Sequence, residues 1–309
     1  MENSYIELYL KGMIDMNNMP EIRRNKLKKL LVNKDYIRVM EASNGLTGLI
    51  VEKTKVNDKE YDALWISSLC DSTLKGKPDN EVVDFTSRVN TINEIMEVTT
   101  KPIIVDGDTG GKIEHFVNHI KTLERMGVSA IIIEDKTGLK QNSILGNKVQ
   151  QVLEDKNRFA EKIKKGKEAL VSKDFMIFAR IESFIADKDL NDAMQRAETY
   201  IQAGADGIMI HSYKKDGNEI VEFLKVFKQK YPDIITIVVP TTYSHFKEVE
   251  LYNRGANVII YANQLLRSAY PAMIKTARKI LEDERSFEAC NKYCMSMKEI
   301  LELIGDNHD

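Results

Sequence analysis

Between residues 36 and 263 the chain repeats one pattern. A short β-branched run closes on a polar residue, and a longer stretch follows with apolar positions three and four apart. The short runs are YIRVMEAS (36–43), YDALWISS (61–68), PIIVDGD (102–108), SAIIIED (129–135), FMIFARIE (175–182), DGIMIHS (206–212), IITIVVPT (234–241) and NVIIYAN (257–263). Uninterrupted apolar stretches such as AIII and ITIVV suit strands buried on both faces, as in a parallel sheet covered by helices. The intervening segments, such as EHFVNHIKTLERMG and DLNDAMQRAETYIQAG, are amphipathic and end at Gly127 and Gly204, the expected helix stops. Alternation of this count suits an α/β fold of the closed (β/α)8 TIM type. A doubly wound open sheet would need a reversal of strand order that the pattern does not reveal.

The pattern divides the chain into a helical N-terminal extension (1–35), a (β/α)8 catalytic barrel (36–285) and a C-terminal helical segment (286–309). Pro271, inside LLRSAYPAMIKTARKILEDE, predicts a kink or a helix start. A length of 309 residues accommodates one barrel of ~250 residues with extensions. With Lys+Arg 45 against Asp+Glu 47 there is no global basic field, so nucleic acid is not an expected partner. No run of ~18 uncharged apolar residues is present to span a membrane. The first twenty residues lack a signal-peptide h-region, and three cysteines are too few for a disulfide framework. The expected compartment is the cytoplasm.

Chemistry in such a barrel gathers at the C-terminal ends of the strands. The polar residues there are Glu41, Ser67, Asp106, Asp108, Glu134, Asp135, Arg180, Glu182, His211, Thr241 and Asn263. Strand ends are where polarity normally returns. Two carboxylate pairs with an arginine and a histidine at one mouth go beyond that. Asp106-Gly107-Asp108 sets two carboxylates on one side of an extended segment, which with Glu134 and Asp135 suits Mg2+, with Mn2+ as the alternative. Arg180 either pairs with those acids or grips a planar carboxylate or phosphate with its fork. His211 is either a satisfied core histidine or a site residue. His115 and His119 share a helix face but lack the HExxH glutamate of a zinc site. Cys290 and Cys294 share a face that packs most simply against the barrel. Lys136, just past its strand, leaves a Schiff-base aldolase open as a minor reading.

The segment EDKTGLKQNS (134–143) resembles the EDKxxxKxNS loop of the phosphoenolpyruvate mutase family, within the phosphoenolpyruvate mutase/isocitrate lyase superfamily. The resemblance runs from about residue 37 to about 285. It includes NGLTGLIVE (44–52), WISSL (65–69), PDNE (78–81), DGDTG (106–110), FARIESFIA (178–186), AETYIQAGADGIMIHS (197–212), VVPTTY (238–243) and YANQLLR (261–267). It implies a magnesium-assisted transfer of phosphorus between oxygen and carbon, interconverting phosphoenolpyruvate and phosphonopyruvate. Asp106, Asp108 and Glu134 would hold the metal, largely through water. Backbone N–H groups of Ser67 and Ser68 would meet the pyruvyl oxygens, with Trp65 and Leu69 shaping the pocket. Arg180 and His211 would meet the phosphoryl group and pyruvate. Lys140, Asn142 and Ser143 would ride on a mobile gating loop hinged at Gly138, and Asp79 on a second flap.

Phosphonopyruvate hydrolase is similar throughout, but carries threonine at the position of Asn142. The C–C lyases carry a catalytic cysteine in a KKCGH or KRCGH loop, which this chain lacks. The family's DTGYGN becomes DTGGKI here, its aromatic–proline step becomes Gly138-Leu139, and its ANH becomes Ala262-Asn263-Gln264. An insertion, roughly KTKVNDKEY, precedes the second strand. The resemblance also implies a homodimer or homotetramer with an exchanged C-terminal helix.

Overall fold

Each of the eight apolar runs forms a strand in the computed structural model, which describes residues 19–305. They are β1 (Ile37–Glu41), β2 (Ala63–Ile66), β3 (Ile103–Asp106), β4 (Ala130–Glu134), β5 (Met176–Ile181), β6 (Gly207–Ile210), β7 (Ile235–Val238) and β8 (Val258–Tyr261). All pairings are parallel, and the sheet closes where β1 pairs with both β2 and β8, at Val39↔Ala63 and Ile37↔Val258. The insertion before β2 is a small antiparallel hairpin, Lys55↔Glu60 and Val56↔Lys59.

Side chains alternate across each strand. Ala130 and Ile132 of β4 join Val39, Trp65, Ile104, Phe178 and Ile260 in the core filling the barrel. The same alternation carries Glu134, two residues beyond Ile132, to the mouth. Asp135 falls on the helix side, where its carboxylate accepts from Arg196 (3.0 Å) and Tyr200 (2.6 Å) of the helix Leu190–Gln202. Asp135 therefore leaves the mouth constellation in which the sequence placed it.

Helix α1 (Pro20–Asn33) brings Leu27, fully buried, into the barrel core. Burial of such a side chain contributes about 1.5–3 kcal/mol. Arg23 anchors the helix by donating to the carbonyls of Thr99 (2.6 Å) and Met96 (3.1 Å). Residues 1–18 of the expected N-terminal extension, and with them most of the segment read for a signal peptide, lie outside those described. The helix Ile113–Met126 ends at Gly127, with φ 95°, where a Cβ would stand 2.7 Å from the Cα of Pro20. Only glycine meets both demands.

The chain separates into two compact units, one ending at Ala262 and the second beginning at Asn263, ahead of the boundary at 285 read from the sequence. In the second unit, the helix Gln264–Asp283 runs uninterrupted through Pro271 rather than starting there. Cys290 lies in the helix Phe287–Tyr293 of this unit and Cys294 caps its C-terminal end. Among the described residues no helix is long and apolar enough to cross a membrane.

Candidate active site

Four residues at the ends of β4, β5 and β6 meet at the barrel mouth. Glu182 is fully buried and accepts from Arg180 Nε (2.5 Å), from Ser143 Oγ, and lies 3.0 Å from His211 Nδ1. Arg180 also donates to Ser143 Oγ (2.8 Å), contacts His211 Nδ1 (2.9 Å), and reaches Glu134 at 3.2 Å. Burial opposes ionisation of Glu182, but Arg180 and Lys136 hold its carboxyl well below the usual range. Burial and the Arg180 guanidinium push His211 below its ordinary value, which favours the neutral imidazole; its Nδ1 then either accepts from Arg180 or donates to Glu182, according to the tautomer.

A second cluster is built on β3. Asp106 Oδ2 accepts from Ser68 N (3.2 Å) and Ser68 Oγ (2.9 Å), and its Oδ1 from Asp108 N (3.2 Å). Asp108 adopts a left-handed backbone, φ 52°. Its Oδ2 accepts from Arg88 at 2.7 Å and its Oδ1 from Lys140. Burial alone would raise the Asp108 carboxyl, but Lys140 and Arg88 hold it below the ordinary range. Lys140 donates further to Ser68 Oγ and Asp79 Oδ1, both at 2.7 Å, and Asn142 Nδ2 donates to Asp79 Oδ2 at 3.0 Å. The loop 136–143 is thus fastened over the mouth to the segment bearing Asp79.

Glu134, whose backbone N–H donates to Asp108 O (2.8 Å), is the acid of the mouth that could take up a cation. Both of its carboxylate oxygens are buried without a hydrogen-bond partner, and burial pushes the carboxyl up to about 7 despite Arg180 and Lys136. An added cation near these oxygens would relieve that cost. The surrounding donors, Asp106 and Asp108, are hard oxygens, which suit Mg2+ or Mn2+ and not a soft metal. Among the described residues no three acidic, histidine or cysteine side chains converge into a direct cage.

A model described as phosphoenolpyruvate phosphomutase matches residues 27–281. The chain belongs to the phosphoenolpyruvate phosphomutase family. It is 35% identical to the phosphoenolpyruvate phosphomutase of Tetrahymena pyriformis, over 92% of each chain. The crystal structure of phosphoenolpyruvate phosphomutase from Streptomyces platensis subsp. rosaceus superposes with a TM-score of 0.84 at 30% identity, covering 91% of this chain and 94% of that one. Phosphonopyruvate hydrolase, in its complex with oxalate and Mg2+, superposes with a TM-score of 0.80 at 28% identity, covering 92% and 95%.

Of the residues singled out in this family member's sequence, Asp79, Ser68, Asp106, Asp108, Lys140 and Asn142 form one connected network. Glu134, Ser143, Arg180 and His211 form the other. Trp65 is nearly fully buried within the barrel core. Ser67 accepts from Cys70 N (3.4 Å) as the cap of the helix Ser68–Leu74, on which Leu69 is half-buried. The amide of Ser68, expected to face substrate, is turned to Asp106.

His119 stacks on Phe85 with ring centroids 3.7 Å apart. Lys136 is buried, donating to Ser143 Oγ and Gln141 O at 2.8 Å, with Glu134 and Glu182 at 3.4 and 3.3 Å. One contributor was missed, and a second was named without its role. Arg88 lies on the amphipathic helix Phe85–Met96, where a charge reads as solvated surface. Glu182 stood among the strand ends, but its central place between Arg180, His211 and Ser143 depends on three separate segments.

Proposed function

We propose that the chain is a phosphoenolpyruvate phosphomutase that interconverts phosphoenolpyruvate and phosphonopyruvate. The forward step breaks the P–O bond to the enol oxygen and forms a P–C bond at C3, with no net gain of water. A loose, metaphosphate-like transfer makes little covalent demand on the protein, which must position the fragments, neutralise charge and exclude water. A divalent cation held by Asp106, Asp108 and Glu134, mostly through water, would neutralise charge on the enolate and pyruvyl oxygens.

The observation that carries this reading is the fastening of the loop 136–143 over the mouth. Lys140 ties to Asp79, Asp108 and Ser68, Asn142 ties to Asp79, and Ser143 ties to Arg180 and Glu182. A loop so bound would keep water from the transferring group. Arg180, whose Nε and Nη2 are taken up by Glu182, Ser143 and Glu134, would meet phosphoryl or carboxylate oxygens through Nη1. His211, neutral beside it, would add a hydrogen bond without adding charge.

Phosphonopyruvate hydrolysis is the second reading, favoured by the similarity to that enzyme and opposed by Asn142. A cysteine-dependent C–C lyase is opposed by Cys70. Burial and the neighbouring Glu41 push that thiol far up, and it lies in no loop of the mouth. Phosphorus NMR of the purified protein with phosphonopyruvate and Mg2+ tests the proposal. Phosphoenolpyruvate as product supports it, and inorganic phosphate with pyruvate overturns it.

A further inference from the structure

The far end of the gating loop is held by a contact that the reaction itself does not require. Just beyond Ser143 the chain makes a short 3-10 turn, Ser143–Lys148, in which Gly146 takes φ 51° and ψ −134°, a conformation open to glycine alone. A Cβ on Gly146 would stand 2.7–2.8 Å from three atoms of the Tyr213 ring. The aromatic face is therefore packed flat against the glycine backbone. Tyr213 lies two residues past His211, at the end of β6, and its hydroxyl donates to Asp187 Oδ1 at 2.7 Å. Asp187, in the segment after β5, itself takes a left-handed backbone, φ 53°.

The two ends of the loop differ. Gly138, at φ 78°, has no atom within 4 Å of a notional Cβ, whereas Gly146 is covered. Gln151 reinforces the covered end, donating to Asn142 O (3.3 Å) and Gly146 O (3.4 Å). Any movement hinged at Gly138 must therefore pivot against the Tyr213 clamp.

We propose that Tyr213 is a positioning residue. Its ring, braced by Asp187, holds Gly146 so that Ser143 reaches Arg180 and Asn142 reaches Asp79, and it thereby sets how well the loop excludes water. This rests on the phosphomutase reading for its chemical consequence, but not for the clamp. Misplacing groups held at a reacting centre commonly costs on the order of 10- to 100-fold. Tyr213→Ala and Gly146→Ala should lower kcat by that order with a smaller change in KM, and raise the share of phosphate among the products. Tyr213→Phe keeps the ring but loses the bond to Asp187, and should show the same changes to a smaller degree.

The test pairs product partitioning from phosphonopyruvate with the rate of tryptic cleavage after exposed Lys148, in variants with wild-type unfolding temperatures. Faster cleavage in Tyr213→Ala and Gly146→Ala, together with more phosphate, supports the proposal. Wild-type cleavage in both variants overturns it. So does faster cleavage with unchanged partitioning, since Tyr213 would then serve packing alone. Should the wild-type protein turn over no phosphonopyruvate, the phosphomutase reading fails while the cleavage rates still decide the clamp. Should Tyr213→Ala or Gly146→Ala unfold early, Tyr213→Phe carries the test, since it removes the bond to Asp187 and keeps the ring. Wild-type cleavage and partitioning in Tyr213→Phe would then overturn the bracing role.

Discussion

Lys140 Nζ stands 2.7 Å from Asp79 Oδ1, joining the loop after β4 to the segment between β2 and β3 across the barrel mouth. Both side chains are nearly buried, where a charge pair is strong and an abandoned partner is costly. Removing either member should therefore impair the same closure. Lys140→Met and Asp79→Asn are each expected to lower kcat/KM, and the double variant to fall little further, with a coupling of about 0.5–3 kcal/mol. Steady-state kinetics of the four proteins checks this. Fully additive losses would show that the pair does not act as one unit.

Asp106→Ala should abolish turnover while the protein remains folded, since Asp106 makes its hydrogen bonds with Ser68 and the Asp108 amide alone. Titration with Mn2+ followed by electron paramagnetic resonance should show weakened binding in the variant, and chelation should silence the wild type. Full activity after exhaustive chelation would remove the metal from the account.

Arg180→Lys should be severely impaired, because an ammonium cannot contact Glu182, Glu134 and Ser143 together while offering a planar face to an anion. A rate near wild type would leave Arg180 with a structural role only.

His211 supplies a pH-dependent signature. Its value in the folded protein lies below the ordinary 6.5, through burial and the Arg180 charge. Between the folded and the unfolded value the unfolded chain binds the extra proton, so stability from this group is present above 6.5 and falls away as pH drops below it. Imidazole proton NMR, assigned with His211→Asn, should place the midpoint below 6.5. A midpoint at or above that value would mean the ring is charged against Arg180.

The barrel was legible because runs such as AIII and ITIVV need cover on both faces, and only a parallel sheet under helices supplies it. The mouth residues followed from the same strands and from the loop motif. Asp135 was misplaced by adjacency to Glu134, although strand alternation already puts consecutive residues on opposite faces. Arg88, Glu182 and Tyr213 were not legible as partners. Each acts through a residue at least 20 positions away, and hydrophobic periodicity carries no record of which helix face or loop meets which carboxylate. Of the two outcomes read for Pro271, a kink or a helix start, the start does not occur, because a proline lowers helix propensity without dictating where a long amphipathic helix begins.

The central claim is that this mouth moves phosphorus from oxygen to carbon under a water-excluding loop, and Asn142 is the residue on which it turns. Asn142 donates to Asp79 Oδ2 (3.0 Å) and accepts from Ile144 N (3.0 Å), which fixes its amide at the loop's inner edge. The decisive measurement is product partitioning by phosphorus NMR from phosphonopyruvate and Mg2+, for wild type and Asn142→Ala under one condition. The account predicts phosphoenolpyruvate as the main product of the wild type. The variant should lose ~100-fold in rate, the scale of one lost transition-state donor, and release some inorganic phosphate. A wild type that yields mainly phosphate, or a variant that matches it in both rate and partitioning, would contradict the account.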